Sequence, residues 1–413
     1  MMLSRPRQDR RRGAVVVLLA ILMIPLLAMV AFAVDMAWMT LTKADLQNAA
    51  DSAALAGAGQ LMSGYVQYYL PGQTQQSSIL STTQTNAKSY AKNFAGYNAA
   101  GGVSSLALND GDIEYGFTDN NGTYTAASAN TSFFPNTVKV TMRRDGTANG
   151  SLNLFFGPAL GTSKVNLTTT AAATIYTAQV DSFQSNLAQN LKILPMTYDV
   201  NHWNNFLKTG QGPDGSTDTA ANGAPQLQVY PSIKFTGNFG LLSLDQGNDG
   251  ASTISGWIAN GVSSSDLQNE YNANLLPLSK HDSTKWDWKG DPGLKTSDIH
   301  TLSGYVGSSY LLPLFKPLND GSIDPALYAA GTGQGTNYYY NIVEFVAITI
   351  TAVDNKSVHV QPSSMVVPQA LYSAVSTAGT PSYATTLPLG VTLPLLGTNT
   401  PLLSTFAPPK LTQ

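Results

Sequence analysis

Between Gly13 and Val34 the chain reads GAVVVLLAILMIPLLAMVAFAV, with no charged side chain. No other feature limits the fold as much. About 20 consecutive apolar residues in an α-helix span the hydrocarbon core of a bilayer. Pro25 falls mid-span; it removes one backbone hydrogen bond and introduces a kink, which membrane helices tolerate. Arg5, Arg7, Arg10, Arg11 and Arg12 precede the run, opposed only by Asp9, while Asp35 closes it and Trp38 stands where an interfacial aromatic belongs. Arginine-rich flanks stay on the cytoplasmic side, so the expected orientation is N-terminus inside and the remainder outside, anchored in a lipid bilayer.

Two other readings compete. The arginine cluster fits a nucleic-acid-binding arm, but the net charge of −3 leaves the rest of the chain mildly acidic. Binding a polyphosphate needs a wider basic surface, so no nucleic-acid partner is expected. Ala31-Phe32-Ala33 fits a small-x-small cleavage pattern, and cleavage after Ala33 would release a secreted adhesin. The apolar run is longer than the usual leader core of about 7–15 residues, and the sequence beyond it stays helical; both favour a retained anchor.

Charged residues are only 11 % of the sequence, with Gly, Ser, Thr and Asn in their place, yet 43 % is hydrophobic, enough for a core. Cysteine is absent, which excludes disulfides, thiolate metal sites and cysteine nucleophiles.

Helical character continues past Asp35, with no proline until Pro71. Leu46, Ala50, Ala53 and Gly57 follow i, i+3, i+4 spacing and share one stripe. Small residues there allow close backbone approach, either to the chain's own sheet or to another molecule. Gly57, Gly59 and Gly64 are expected to weaken and then end the helix near Leu61. That helix would be about 70 Å long. A second helix is expected from Gln76 to Asn98, with Leu80, Thr83, Ala87, Tyr90, Ala91 and Phe94 on one face. Strands follow: a hairpin over 112–127 around Asn120-Asn121-Gly122, an alternating run from Thr137 to Met142, and Leu167–Ile175.

The stretch from Arg10 to Leu61 resembles the N-terminal segment of TadE/TadG-like Flp pilus-assembly proteins. The resemblance rests on the Arg-Arg-Gly-Ala entry, the apolar span, the Val34-Asp35 exit and the run LQNAADSAALAG from Leu46 to Gly57. Thr137–Met142, Phe155-Phe-Gly-Pro-Ala-Leu-Gly161 and Leu167–Ile175 are similar to these proteins as well, and more weakly so are Gly240–Asp245 and Ser255–Gly261. The resemblance implies an envelope-anchored accessory of a tight-adherence pilus in a bacterium. It also implies other pilus-assembly proteins as partners through the N-terminal helix, and a place in the inner (cytoplasmic) membrane. Two departures stand out. Type IV prepilins carry Glu five residues after the processing glycine, and here Leu18 holds that position after Gly13. The D-x-S-x-S metal motif of some members is missed by one residue at Asp214–Asp218 and again at Asp320–Asp324, which read as surface turns.

Motifs for chemistry are sparse. His281 and His300 bracket a stretch holding Asp282, Asp287, Asp291, Asp298, Trp286 and Trp288. A metal site or a membrane-tethered hydrolase drawn from 281–300 is the alternative function. No zinc-type histidine spacing supports it, and a solvated loop anchored by tryptophan fits better. His202 and His359 stand apart. Asp245–Gly250 resembles the start of a calcium loop but lacks ligands at the third and twelfth positions, and Gly331–Gly335 lacks the lysine of a phosphate loop. No G-x-S-x-G is present. Helices are expected over 253–260, stopped by Gly261, and from a cap at Ser265 to about Leu276. The strongest buried strand is Tyr338–Val353, turning at Asp354–Lys356 into Ser357–Gln361. After Tyr372 six prolines exclude a helix, leaving a flexible tail or an extended segment lying on a partner.

The expected fold is α+β: a single N-terminal transmembrane helix continues into a long helix packed on an antiparallel sheet, followed by a β-rich domain. The expected divisions are a basic cytoplasmic tail (1–12), the transmembrane helix (13–36), the helix-plus-sheet region carrying the resemblance (37–179), the β-rich extracytoplasmic domain (180–372) and the Pro/Thr/Ser-rich tail (373–413). The expected role is a non-catalytic structural or scaffold component of pilus assembly or surface attachment, without cofactor, metal or catalytic residues.

Overall fold

The structure is a computed structural model. It describes residues 12–118, 122–127, 134–177, 179–184, 189–230, 241–244, 250–271, 275–277, 287–291, 296–315, 339–354, 357–367, 370–373, 384–386, 392–394 and 405–412.

Helix α1 runs unbroken from Arg12 to Tyr68 with Pro25 inside it. At 1.5 Å per residue its length is about 85 Å. It therefore passes the end expected near Leu61. Gly57 and Gly64 sit in its buried face, where an added Cβ would be tight at Gly57 and would clash at Gly64. Packing at these points outweighs their weak helix propensity, so neither ends the helix. Helix α2 (Gln76–Gly96) lies against α1. Its buried stripe is Thr83, Ala87, Ala91 and Ala95. Tyr90 and Phe94, expected on that face, are exposed, because helices this close admit only small side chains between them.

The first sheet takes β1 (Ile113–Thr118), β2 (Tyr124–Ala126), β3 (Thr137–Arg144) and β6 (Leu167–Thr177); β4 (Leu152–Asn153) and β5 (Lys164–Val165) form a separate hairpin. Strand β3 buries Val138, Val140 and Met142 at alternate positions, as period-two geometry requires. It pairs antiparallel with β6, Thr137 opposite Thr174 and Arg144 opposite Leu167. A threonine ladder crosses the sheet: Thr137 Oγ1 lies 2.8 Å from Thr118 Oγ1 and 2.9 Å from Thr174 Oγ1.

The second region is built around long strands. Its elements are β7 (Gln179–Gln184), β8 (Tyr198–Asp199), α3 (Val200–Thr209), β9 (Asp218–Thr219), β10 (Pro225–Tyr230), β11 (Leu241–Leu242), α4 (Ala251–Asn260), α5 (Ser264–Tyr271), β12 (Leu275–Pro277), β13 (Asp287–Asp291), α6 (Thr296–Ser303), β14 (Ser309–Phe315), β15 (Tyr339–Val353), β16 (Val358–Pro362), β18 (Ala370–Ser373), β19 (Ala384–Thr386) and β20 (Thr392–Pro394), whereas β17 (Met365–Val366) and β21 (Thr405–Leu411) return to the first sheet. Strand β15 is central, pairing antiparallel with β13, β14 and β16. Helix α5 starts two residues before the start expected from a Ser265 cap, because Ser263 caps it: Asp266 N donates to Ser263 Oγ at 3.2 Å, and Ser263 N donates back to Asp266 Oδ2 at 2.9 Å. This reciprocal pair satisfies two otherwise orphaned donors.

The first sheet is completed from the far end of the chain. Its order is β17-β21-β6-β3-β1-β2. Strand β21 pairs antiparallel with β6, and Thr412 Oγ1 lies 2.9 Å from Thr174 Oγ1, extending the threonine ladder. This part of the tail is thus extended, and it lies on the chain's own sheet.

Glu344 lies in β15 opposite the buried Leu314 of β14, and the buried Val346 shares its face. Loss of hydration on burial raises its carboxyl from an ordinary 4.5 to about 7. The folded state therefore holds the proton over a pH range in which the unfolded chain releases it. The resulting stabilisation is complete below about 4.5, declines as pH rises and is gone above about 7. Discounted for the partial exposure of the side chain, it amounts to about 2 kcal/mol. Glu344→Gln should flatten this part of a thermal-melt profile recorded between acid and neutral pH; an unchanged slope would assign it to another group.

Candidate functional site

The geometry of the N-terminal helix divides sharply at one residue. From Val16 to Val34 its large apolar side chains are exposed, and none of the most apolar window is buried. Asp35 is 4 % exposed. Its Oδ1 accepts the N–H of Phe155 at 2.8 Å, and its Oδ2 that of Phe156 at 3.1 Å. Trp38, one turn on, places its ring 5.6 Å from that of Phe155. The acid expected to mark the edge of the span therefore also ties the helix to the β4–β5 hairpin. Arg12 is the first residue of α1, whereas Arg5, Arg7, Arg10 and Arg11 lie outside the described residues.

Beyond Asp35 the small-residue stripe is buried inside the chain. Leu46, Ala50 and Ala53 have no exposed surface. A Cβ on Gly57 would meet Val138 Cγ1 at 3.1 Å, Ala87 O at 3.4 Å and Ala91 Cβ at 3.5 Å. At Gly57 the stripe is wedged between α2 and β3, where close approach leaves little room for a larger side chain. With that face occupied, the exposed apolar surface of α1 is the stretch from Val16 to Met36, together with Leu41.

The other place where polar groups converge is a cleft in the second region. Ser357 Oγ lies 2.8 Å from His359 Nε2, and His359 Nδ1 lies 2.7 Å from Asp218 Oδ2. The order serine, imidazole, carboxylate is that of a hydrolase, but the electrostatic contact differs. His359 Nδ1 stands close to the carboxylate but out of line for a hydrogen bond with it. Asp218 is half-exposed and accepts Gln226 Nε2 at 2.9 Å. Gln226 Oε1 in turn accepts Thr351 Oγ1 at 2.7 Å. Gln361 Nε2 donates to the carbonyls of Ala224 and Pro225, each at 3.0 Å. Together these contacts latch the β9–β10 segment onto β16 and β15. Ser357 and His359, two apart near the start of β16, were within reach of a sequence reading; Asp218, brought in by the β10–β16 pairing, was not.

The remaining candidates are dispersed. His281, Asp282 and Trp286 lie outside the described residues, while His300 is exposed on α6. Asp298 is buried and accepts Ser255 Oγ at 3.2 Å, tying α6 to α4. Asp199 caps α3, accepting Asn201 N at 2.7 Å, with His202 Nδ1 3.1 Å from its other oxygen. Asp214 Oδ1 accepts Ser216 N and Oγ at 2.9 and 2.7 Å, an Asx turn. Asp320–Asp324, Gly331–Gly335 and residues 245–249 lie outside the described residues. Among the described residues no three His, Asp or Glu side chains are grouped to hold a metal.

Residues 13–60 match a family model described as putative Flp pilus-assembly TadE/G-like. The matched span holds the apolar run, Asp35 and the whole small-residue stripe. The N-terminal region is thus similar to proteins of Flp pilus assembly, and this likeness supports involvement in that process. Neither a curated protein nor a solved structure matches the chain.

Proposed function

We propose that the protein is a membrane-anchored, non-catalytic scaffold of Flp pilus assembly. It sits in the inner membrane with its arginine-rich end in the cytoplasm and everything after Asp35 in the extracytoplasmic envelope. One observation carries this: a single helix passes without interruption from an exposed apolar segment into the core of a folded unit, inside the TadE/G-like span. A rigid connection of this kind transmits position from the bilayer to the domain. Other pilus-assembly proteins would meet the anchor along its exposed apolar face, since the small-residue stripe is already filled. The off-line Asp218–His359 contact supports a structural role for the cleft.

The orientation is tested with reporters. An enzyme active only outside the cytoplasm, fused after Gln413, should be active, and a cytoplasm-only reporter silent. Exchanging Arg5, Arg7, Arg10, Arg11 and Arg12 for glutamates should reduce correct insertion. Activity of the cytoplasmic reporter alone on the unaltered chain would overturn the orientation.

A further inference from the structure

We infer that the tip of the β4–β5 hairpin is a second membrane contact, seated in the interfacial layer of the leaflet from which α1 emerges. The inference rests on the anchored reading of α1. No charged residue occurs from Gly146 to Ser163, and Lys164 follows at the base of the tip. Within it Phe155, Phe156 and Leu160 are 63 %, 46 % and 60 % exposed. In water, three large apolar side chains clustered on one short loop are unfavourable, and such patches mark a contact surface.

The position of the tip selects the bilayer as its occupant. The Phe155 and Phe156 amides are held by Asp35, the first charged residue after the apolar run. The Phe155 ring lies against Trp38, about 4.5 Å further along the helix axis. The tip is thus fixed at the level where the helix leaves the hydrocarbon, where aromatic side chains are favoured. Like the span, the tip presents exposed apolar side chains. The tip is also rigidly built. Leu154 N donates to Ser163 O at 3.0 Å, Thr162 N donates to Gly157 O at 3.0 Å, and Gly161 takes a φ of +88° that favours glycine. An ordered tip reaches the interface without the entropy loss of ordering a free loop. Two contacts, one spanning and one interfacial, would fix the tilt and rotation of the whole extracytoplasmic unit.

The absence of cysteine permits a direct test on the full chain. Single variants Phe156→Cys, Leu160→Cys, Leu22→Cys and Ser78→Cys are labelled with an environment-sensitive fluorophore. Each is reconstituted into phosphatidylethanolamine–phosphatidylglycerol vesicles. Leu22 lies inside the apolar span; Ser78 is exposed near the start of α2, two residues from Gln76, whose Nε2 donates to the carbonyl of Tyr68 at the far end of α1 at 3.2 Å. Probes at 156 and 160 should lose about half their emission or more to a lipid-borne quencher and little to aqueous iodide, as at Leu22, with the reverse at Ser78. Iodide quenching at 156 and 160 equal to that at Ser78, with Leu22 still lipid-quenched, would overturn the inference and leave the anchor standing. Protection from both quenchers would assign the tip to a protein contact and overturn it too. If Leu22 itself escapes the lipid quencher, the anchored reading fails and the inference with it.

Discussion

Phe406→Ala is expected to destabilise the N-terminal unit by about 3–5 kcal/mol, although the residue comes from the far end of the chain. Phe406 has no exposed surface, and its ring stands edge-on to Tyr65 of α1 at 5.9 Å. Its backbone lies between β17 and β6, opposite Val366 and Thr177. Truncating the aromatic leaves a void among residues that cannot all collapse into it. Leu411→Ala, at an exposed position of the same strand, should cost far less. Thermal unfolding of the two variants in detergent or nanodiscs separates the cases. Equal stability of Phe406→Ala and the unaltered chain would mean that β21 is not part of the first sheet in solution.

The extended end of the chain lies on its own sheet rather than on a partner. Prolines exclude a helix, and an interior strand also suffers from them because each lacks an N–H donor. Strand β21 resolves the conflict with an irregularity: its register on β6 shifts between Ala407 and Lys410, the interval holding Pro408 and Pro409. The donors missing at the two prolines fall where the ladder is already interrupted. Nothing local announces a partner strand so distant in sequence. By contrast, the alternation in Thr137–Met142 and the β-branched run in β15 were legible, because their burial pattern is written in consecutive residues. The α2 face was half legible. Its spacing was right, but choosing between alanines and aromatics required knowing how near α1 would come. The same limit applied at the candidate site. The edge of the apolar run was evident from Asp35, yet its hold on Phe155 and Phe156 depends on a contact that no spacing rule encodes. The sequence LFFGPALG did carry a cue, a charge-free turn too apolar for an ordinary surface loop.

Glycine-to-alanine substitutions at positions 64 and 59 should move stability in opposite directions, although both residues lie in α1 and intrinsic propensity favours alanine at each by about 1 kcal/mol. At Gly64 a Cβ would fall 2.7 Å from Thr83 Cγ2 and 2.8 Å from Phe134 Cζ, and closer still to Thr83 Oγ1. Thr83 belongs to the buried stripe of α2, and the Phe134 ring packs edge-on against Tyr65 at 6.1 Å. Neither can retreat without parting α2 from α1 or opening the aromatic cluster. Overpacking should therefore exceed the gain in propensity, for a net loss of about 2–3 kcal/mol at Gly64→Ala. At Gly59 nothing lies within 4 Å of the added methyl. Gly59→Ala should accordingly stabilise by about 1 kcal/mol, because only the unfolded chain's freedom changes. Limited proteolysis and thermal melts of both variants read the difference. A gain at both positions would show that α1 and α2 stand further apart in solution than the stripe requires. A loss at both would place an additional contact on the Gly59 side of the helix, the kind a pilus-assembly partner would make.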